Sequence, residues 1–144
     1  MIKNVLLGEE IVISTKNKIG ILAEVSRILV DNGINIDAVL GYETGKTARL
    51  LLITSANIRA MGELRRKKYK LLKETEVVLV DLENKPGAIK LVTTELKANK
   101  IDIKYIYVTS CSCGKGSKMV IQTSDNERAM SLLTRYVPSS TAGN

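Results

Sequence analysis

The chain repeats itself, and the repeat limits the fold more than any other feature. Residues 17–36 read NKIGILAEVSRILVDNGINI and residues 84–103 read NKPGAIKLVTTELKANKIDI. Asn17, Lys18, Gly20, Leu29, Asn32, Ile34 and Ile36 recur as Asn84, Lys85, Gly87, Leu96, Asn99, Ile101 and Ile103, an offset of 67 residues. Arg59-Ala60-Met61 recurs as Arg128-Ala129-Met130 at an offset of 69, so the second copy has two residues inserted between the blocks. A self-similar chain of 144 residues is better described as two small copies than as one large domain.

Each copy predicts the same order of elements. Glu9 to Ser14 reads as a strand. Ile21, Leu22, Val25, Ile28 and Leu29 share one helical face, and Gly33 stands where a left-handed C-terminal cap is wanted. Ile34 to Val39 alternates as a strand, Gly41 to Lys46 is turn-rich, and Ala48 to Ile53 is a third strand. Ile58, Met61 and Leu64 mark a second helix, and a short strand near Tyr69 to Leu72 closes the copy. In the second copy Glu76 to Leu82 is a strand, Ile89, Val92 and Leu96 mark a helix, and Ile101 to Val108 and Met119 to Thr123 are strands. Ser124 to Glu127 fits a capping box, and the closing strand falls near Arg135 to Val137. The order βαββαβ, twice, predicts an α+β fold of two ferredoxin-like units. Each has an antiparallel sheet with its helices on one face. The expected bounds are 8–72 and 75–138, with 139–144 a flexible tail. Both sides of the third strand are apolar, since Leu51 and Ile53 alternate with Ala48, Leu50 and Leu52. The second side therefore calls for a cover, and a homodimer is expected.

Composition removes several classes of function. There is no His, which excludes Ser-His-Asp and Cys-His catalysis and His-ligated metal. Cys111 and Cys113 are the only cysteines, so a disulfide scaffold is not expected, and two thiols do not complete a zinc site. Gly41 to Thr47 ends in Gly-Lys-Thr but has one residue too few for a phosphate loop and links two strands. The segment Val5-Leu6-Leu7 is too short for a signal-peptide core, and no apolar run is long enough to span a membrane. A cytoplasmic protein that is not an enzyme and needs no cofactor or metal is expected. The net charge of +7 permits anionic partners without identifying one. The densest basic run, Arg65-Arg66-Lys67-Lys68, lies at a helix C-terminus, where cations are favoured. RNA-binding modules of this element order stack bases on aromatics of the central strands. Neither the first nor the third strand of either copy has an aromatic residue.

The segments Asn17-Lys18-Ile19-Gly20-Ile21 through Gly33-Ile34-Asn35-Ile36, and Asn84-Lys85-Pro86-Gly87-Ala88 through Ile101-Asp102-Ile103, resemble the ACT domain. The resemblance covers roughly residues 9–137, and the arrangement is similar to stand-alone proteins of two tandem ACT domains. It implies a regulatory protein that binds a small effector, usually an amino acid, where domains meet. The loop positions carried over are Asn17, Ile19, Gly20 and Ile21 in the first copy and Asn84, Gly87 and Ala88 in the second. The facing positions are Asn35 and Asp102.

Elementary chemistry agrees with that use. Glycine at a strand-to-helix turn permits close backbone approach, and a helix N-terminus offers N–H groups to a carboxylate. Asp102 in place of Asn favours an ammonium but repels a carboxylate, and Lys100 replaces the capping Gly33. The two half-sites are therefore expected to be unequal. Asn17 and Asn84 could instead merely cap the helix or shape the turn. Two alternatives stand beside the sensor: a scaffold or regulatory subunit of a partner enzyme with no ligand of its own, and a nucleic-acid-contacting regulator using Arg65 to Lys68.

Overall fold

The computed structural model describes residues 1–111 and 113–139, the side chains of Leu71 and Cys111 excepted. Ser112 of the Cys-Ser-Cys loop and the tail beyond residue 139 fall outside those residues, and Cys113 is disulfide-bonded. The described chain holds six strands and four helices. They are β1 (Ile2–Lys16), α1 (Ile21–Asp31), β2 (Ile36–Thr44), β3 (Thr47–Thr54), α2 (Asn57–Arg66) and β4 (Leu71–Leu82). Then come α3 (Ala88–Ala98), β5 (Ile103–Cys111), β6 (Gly116–Thr123) and α4 (Asn126–Thr134). They divide into two compact units, Glu9–Thr75 and Met1–Gly8 with Glu76–Asn144. β1 and β4 each contribute residues to both units. None of the described helices is long and apolar enough to cross a membrane.

In the unit Glu9–Thr75 the sheet order is β2-β3-β1-β4, with β3 antiparallel to both β1 and β2. Ile11 and Ile13 of β1 and Leu50 and Leu52 of β3 turn one face toward the helices. They pack with Val25, Ile28 and Leu29 of α1 and with Ala60, Met61 and Leu64 of α2. The period of 3.6 and the period of 2 thus meet in one aliphatic core. Ile58, expected inward, is 82% exposed, because Ala60 takes its place on the buried face of α2. Leu51 and Ile53, on the opposite side of β3, are buried as well.

The other unit has the order β1-β4-β6-β5, with β6 antiparallel to β4 and to β5. Val78, Val80 and Leu82 of β4 and Met119 and Ile121 of β6 face Ala88, Val92 and Leu96 of α3 and Ala129, Leu132 and Leu133 of α4. Ile89, expected inward, is half exposed. The closing strand is not where the sequence placed it. Arg135 to Val137 continue α4 as a turn, with Tyr136 and Val137 amides donating to the Leu133 and Thr134 carbonyls. The fourth strand is Ile2–Gly8 instead, beside β4. Ile2 is buried in this core, Val5 and Leu7 pack against it, and the Glu83 amide donates to the Met1 carbonyl at 2.8 Å.

Three of the four helices end alike. The Gly33 and Ile34 amides donate to the Val30 and Leu29 carbonyls after α1, and the Lys100 and Ile101 amides to the Lys97 and Leu96 carbonyls after α3. The Lys68 and Tyr69 amides do the same after α2, to Arg65 and Leu64. This is the Schellman pattern, with a left-handed residue at its corner. Gly33 takes that conformation without strain, whereas Lys68 (φ 71°) and Lys100 (φ 57°) take it at a cost of about 1 kcal/mol each.

Candidate functional site

The strand-to-helix turn of the first unit runs from Lys16 to Ile21, and we call it the first elbow. Gly20 holds φ 87°, a conformation that reverses the chain into α1. A methyl group placed on Gly20 would meet no atom within 4 Å, so the turn is open. Ile19 projects fully into solvent. Asn17 does not cap α1, which has no side-chain cap. Its amide donates to the Lys46 carbonyl at 2.8 Å and ties the elbow to the β2–β3 hairpin, where Gly45 turns with φ 67°.

Beside the first elbow lies a depression of about 220 Å³, bounded by Thr15, Lys16, Lys18 and Ile21 on one side and Lys67, Lys68 and Tyr69 on the other. Glu24 lines it too and also borders a neighbouring hollow of about 430 Å³ with Arg27 and Lys67. The Tyr69 hydroxyl donates to Glu24 Oε1 at 2.8 Å, and Lys18 Nζ lies 3.1 Å from Glu24 Oε2. The Tyr69 hydrogen bond, and then Lys18, hold the Glu24 carboxyl below its ordinary range. Burial first, and then the bond to Glu24, push the Tyr69 phenol well above its ordinary value.

The turn of the second unit, Glu83 to Ala88, is the second elbow. Gly87 has φ 94°, close to Gly20, and α3 likewise lacks a side-chain cap. Its surroundings differ. The Ala88 amide donates to the Lys85 carbonyl at 3.3 Å. A methyl group on Gly87 would lie 3.2 Å from Met1 Cε and 3.8 Å from Met1 Sδ. The Met1 side chain, which precedes the borrowed fourth strand, therefore lies beside Gly87, while Asn84 to Gly87 stay exposed. Asn84, like Asn17, is exposed and caps nothing.

Asn35 and Asp102 lie elsewhere in their units. The Asn35 amide donates to the Ser55 hydroxyl at 3.0 Å, and the Ser55 amide to the Asn35 carbonyl. Asn35 Nδ2 donates to Asp37 Oδ1 at 2.7 Å. Asp102 repeats the backbone pair with Ser124. The first elbow is at the Lys16–Thr47 end of its sheet and Asn35 is at the Thr54 end. Seven strand residues separate these ends, roughly 23 Å. Within one unit, then, a small molecule at the elbow does not also reach Asn35.

A repeated polar clamp went unread in the sequence. Thr54 donates its amide and hydroxyl to Asn57 Oδ1, and Asn57 Nδ2 donates to the Glu9 carbonyl at 2.8 Å. Thr123, Asn126 and Glu76 repeat this in the second unit. The signal was present as Thr54-Ser55-x-Asn57 against Thr123-Ser124-x-Asn126, at the same offset as the Arg-Ala-Met echo. The cap of α4 is correspondingly Asp125, one residue later than the capping box placed it, and its carboxylate accepts from the Arg128 amide.

Comparison with known proteins follows the same lines. The ACT domain profile matches residues 10–64, a stretch that contains the first elbow and its depression wall on β1 and α1. No curated protein matches the chain. A solved protein of Bacteroides thetaiotaomicron is 26% identical, with a TM-score of 0.82 over 91% of this chain and 89% of that one. The ligand-free regulatory subunit of aspartate kinase from Thermus thermophilus is 15% identical, with a TM-score of 0.64 over 93% of this chain and 97% of that one. The corresponding subunit from Thermus flavus is 17% identical, with a TM-score of 0.55 over the same shares. At those two identities the likeness is one of fold.

Proposed function

We propose that this chain is a non-catalytic regulatory protein that binds a small effector, an amino acid, at its first elbow. The observation that carries the reading is an ACT domain over residues 10–64 whose glycine turn is open and has a depression beside it. The second unit is read as a further ACT-like copy, because its element order, bulge position and Thr-Ser-x-Asn clamp repeat those of the first. The Met1 side chain crowds Gly87 there, whereas nothing crowds Gly20, so the second elbow is read as scaffold and not as a second equal site. Asn35 and Asp102, far from the elbow of their own unit, contact effector only where another unit or another chain brings them to it. Ligand binding at the first elbow favours one conformation over another, and that difference is the output, passed to a partner enzyme or to the protein's own assembly.

A thermal-shift screen against the proteinogenic amino acids tests the reading. A ligand at one hundred times its Kd adds about 2.7 kcal/mol, a rise of roughly 5–10 °C for a chain of this size. The shift is expected from one or a few amino acids and is expected to shrink in Asn17→Ala. A flat screen at millimolar ligand, with a partner enzyme co-purifying, supports the scaffold instead.

A further inference from the structure

We infer that the ligand of the first elbow presents two negative charges, on two carboxylates or on one phosphate, to Lys16, Lys18, Lys67 and Lys68 in the depression; this rests on the reading of the first elbow as the effector site. The four lysines come from three separate stretches of chain: the end of β1, the elbow itself, and the turn from α2 into β4. The Schellman turn after α2 places the last two, with Lys68 in a left-handed conformation at the corner. Four ammonium groups around about 220 Å³ repel one another unless anions intervene.

Among the described residues the lining contains a single acid, Glu24, and that acid is engaged. It receives Tyr69 Oη–H at 2.8 Å and Lys18 Nζ at 3.1 Å. Among the described residues, Lys16, Lys67 and Lys68 have no ion pair of their own. Arg27 adds positive charge in the adjoining hollow. A neutral zwitterion places its ammonium where lysines predominate and gains little. A ligand with a second carboxylate, or a phosphate, answers three unpaired ammonium groups at once. The basic run of α2 read in the sequence as a solvated helix end thus contributes two of its residues to a pocket wall.

Titration calorimetry on the full chain, with L-aspartate, inorganic phosphate, L-threonine and L-lysine as separate probes, tests this. At pH 8, either L-aspartate, with its two carboxylates, or inorganic phosphate, with its two negative charges, is expected to bind tenfold or more tighter than L-threonine. Binding is expected to weaken about tenfold in the Lys67→Gln/Lys68→Gln double variant and to weaken as salt is raised. The variant Glu24→Gln, which removes the opposing charge, is expected to tighten the same probe and guards against a double variant that fails to fold. L-threonine or L-lysine binding as well as either dianion overturns the inference and leaves the effector site standing. Phosphate binding without aspartate upholds the two-charge class and overturns the amino-acid reading. No binding by any probe overturns the two-charge inference, while the effector site itself stands or falls with the thermal-shift screen, and unchanged affinity of the bound probe in the folded double variant overturns the lysine assignment.

Discussion

The two elbows share a backbone and differ in what surrounds it. Gly20 and Gly87 have φ angles of 87° and 94°, each opens a helix of 11 residues, and neither helix has a side-chain cap. Yet nothing approaches Gly20, whereas Met1 lies over Gly87. The cause is remote in sequence. The first unit takes its fourth strand from β4, directly after α2, while the second takes it from Ile2–Gly8 at the other end of the chain. The turn geometry is alike in the two units, because only the local sequence must satisfy it. The environment differs, because it depends on the segment that fills the last strand position.

That contrast can be broken in several places. The largest effect is expected from Ile2→Ala. Ile2 is fully buried in the second unit's core, and the cavity is expected to cost about 2–4 kcal/mol in urea unfolding. Leu72→Ala, at a half-buried position of the first unit, is expected to cost less. Equal small losses would mean that Ile2–Gly8 is not the closing strand. Next comes Tyr69→Phe. It removes the hydrogen bond that the Tyr69 phenol donates to the Glu24 carboxylate at 2.8 Å, and a measurable loss of stability is expected. Tyr136→Phe removes the analogous bond to Glu95 at an exposed site, so its loss is expected to be smaller.

The same pair predicts a pH signature. The Glu24 carboxyl is depressed in the fold, so its contribution is present above pH 4.5 and is lost as the pH falls through its lower folded value. The Tyr69 phenol is raised, so its contribution is full below pH 10.0 and declines above it. Thermal unfolding of Glu24→Gln should be flatter than the parent on the acid side; an identical acid slope removes Glu24 from the account. Gly20→Ala should cost about 1 kcal/mol, all of it backbone strain. Gly87→Ala should cost slightly more, because Met1 Cε must also give way. The smallest change is a gain: Lys100→Gly relieves a left-handed lysine and should add about 0.5 kcal/mol, measured as a rise in Tm.

Much of this was legible in residue pattern. The repeat, the helical faces led by Val25, Leu29, Val92 and Leu96, and the elbow glycines at positive φ all follow from local spacing. What escaped depends on contacts far along the chain. Val5-Leu6-Leu7 followed by Gly8-Glu9-Glu10 looked like an interrupted apolar run, yet β1 passes through it. Gly8 fits because its missing side chain leaves room for Leu79, and Glu10 is fully buried. Tyr136 and Val137 alternate too briefly to reveal that α4 ends in a turn. The lysine wall was invisible because Lys16 and Lys67 are neighbours only after α1 and α2 pack on one face.

The most direct test of the asymmetry is a calorimetric titration of the parent, Gly20→Val and Gly87→Val with the amino acid that the thermal screen selects. The account predicts one ligand bound per chain in the parent, binding lost in Gly20→Val, and binding retained in folded Gly87→Val. Two equal sites per chain, or loss of binding in Gly87→Val alone, would contradict it.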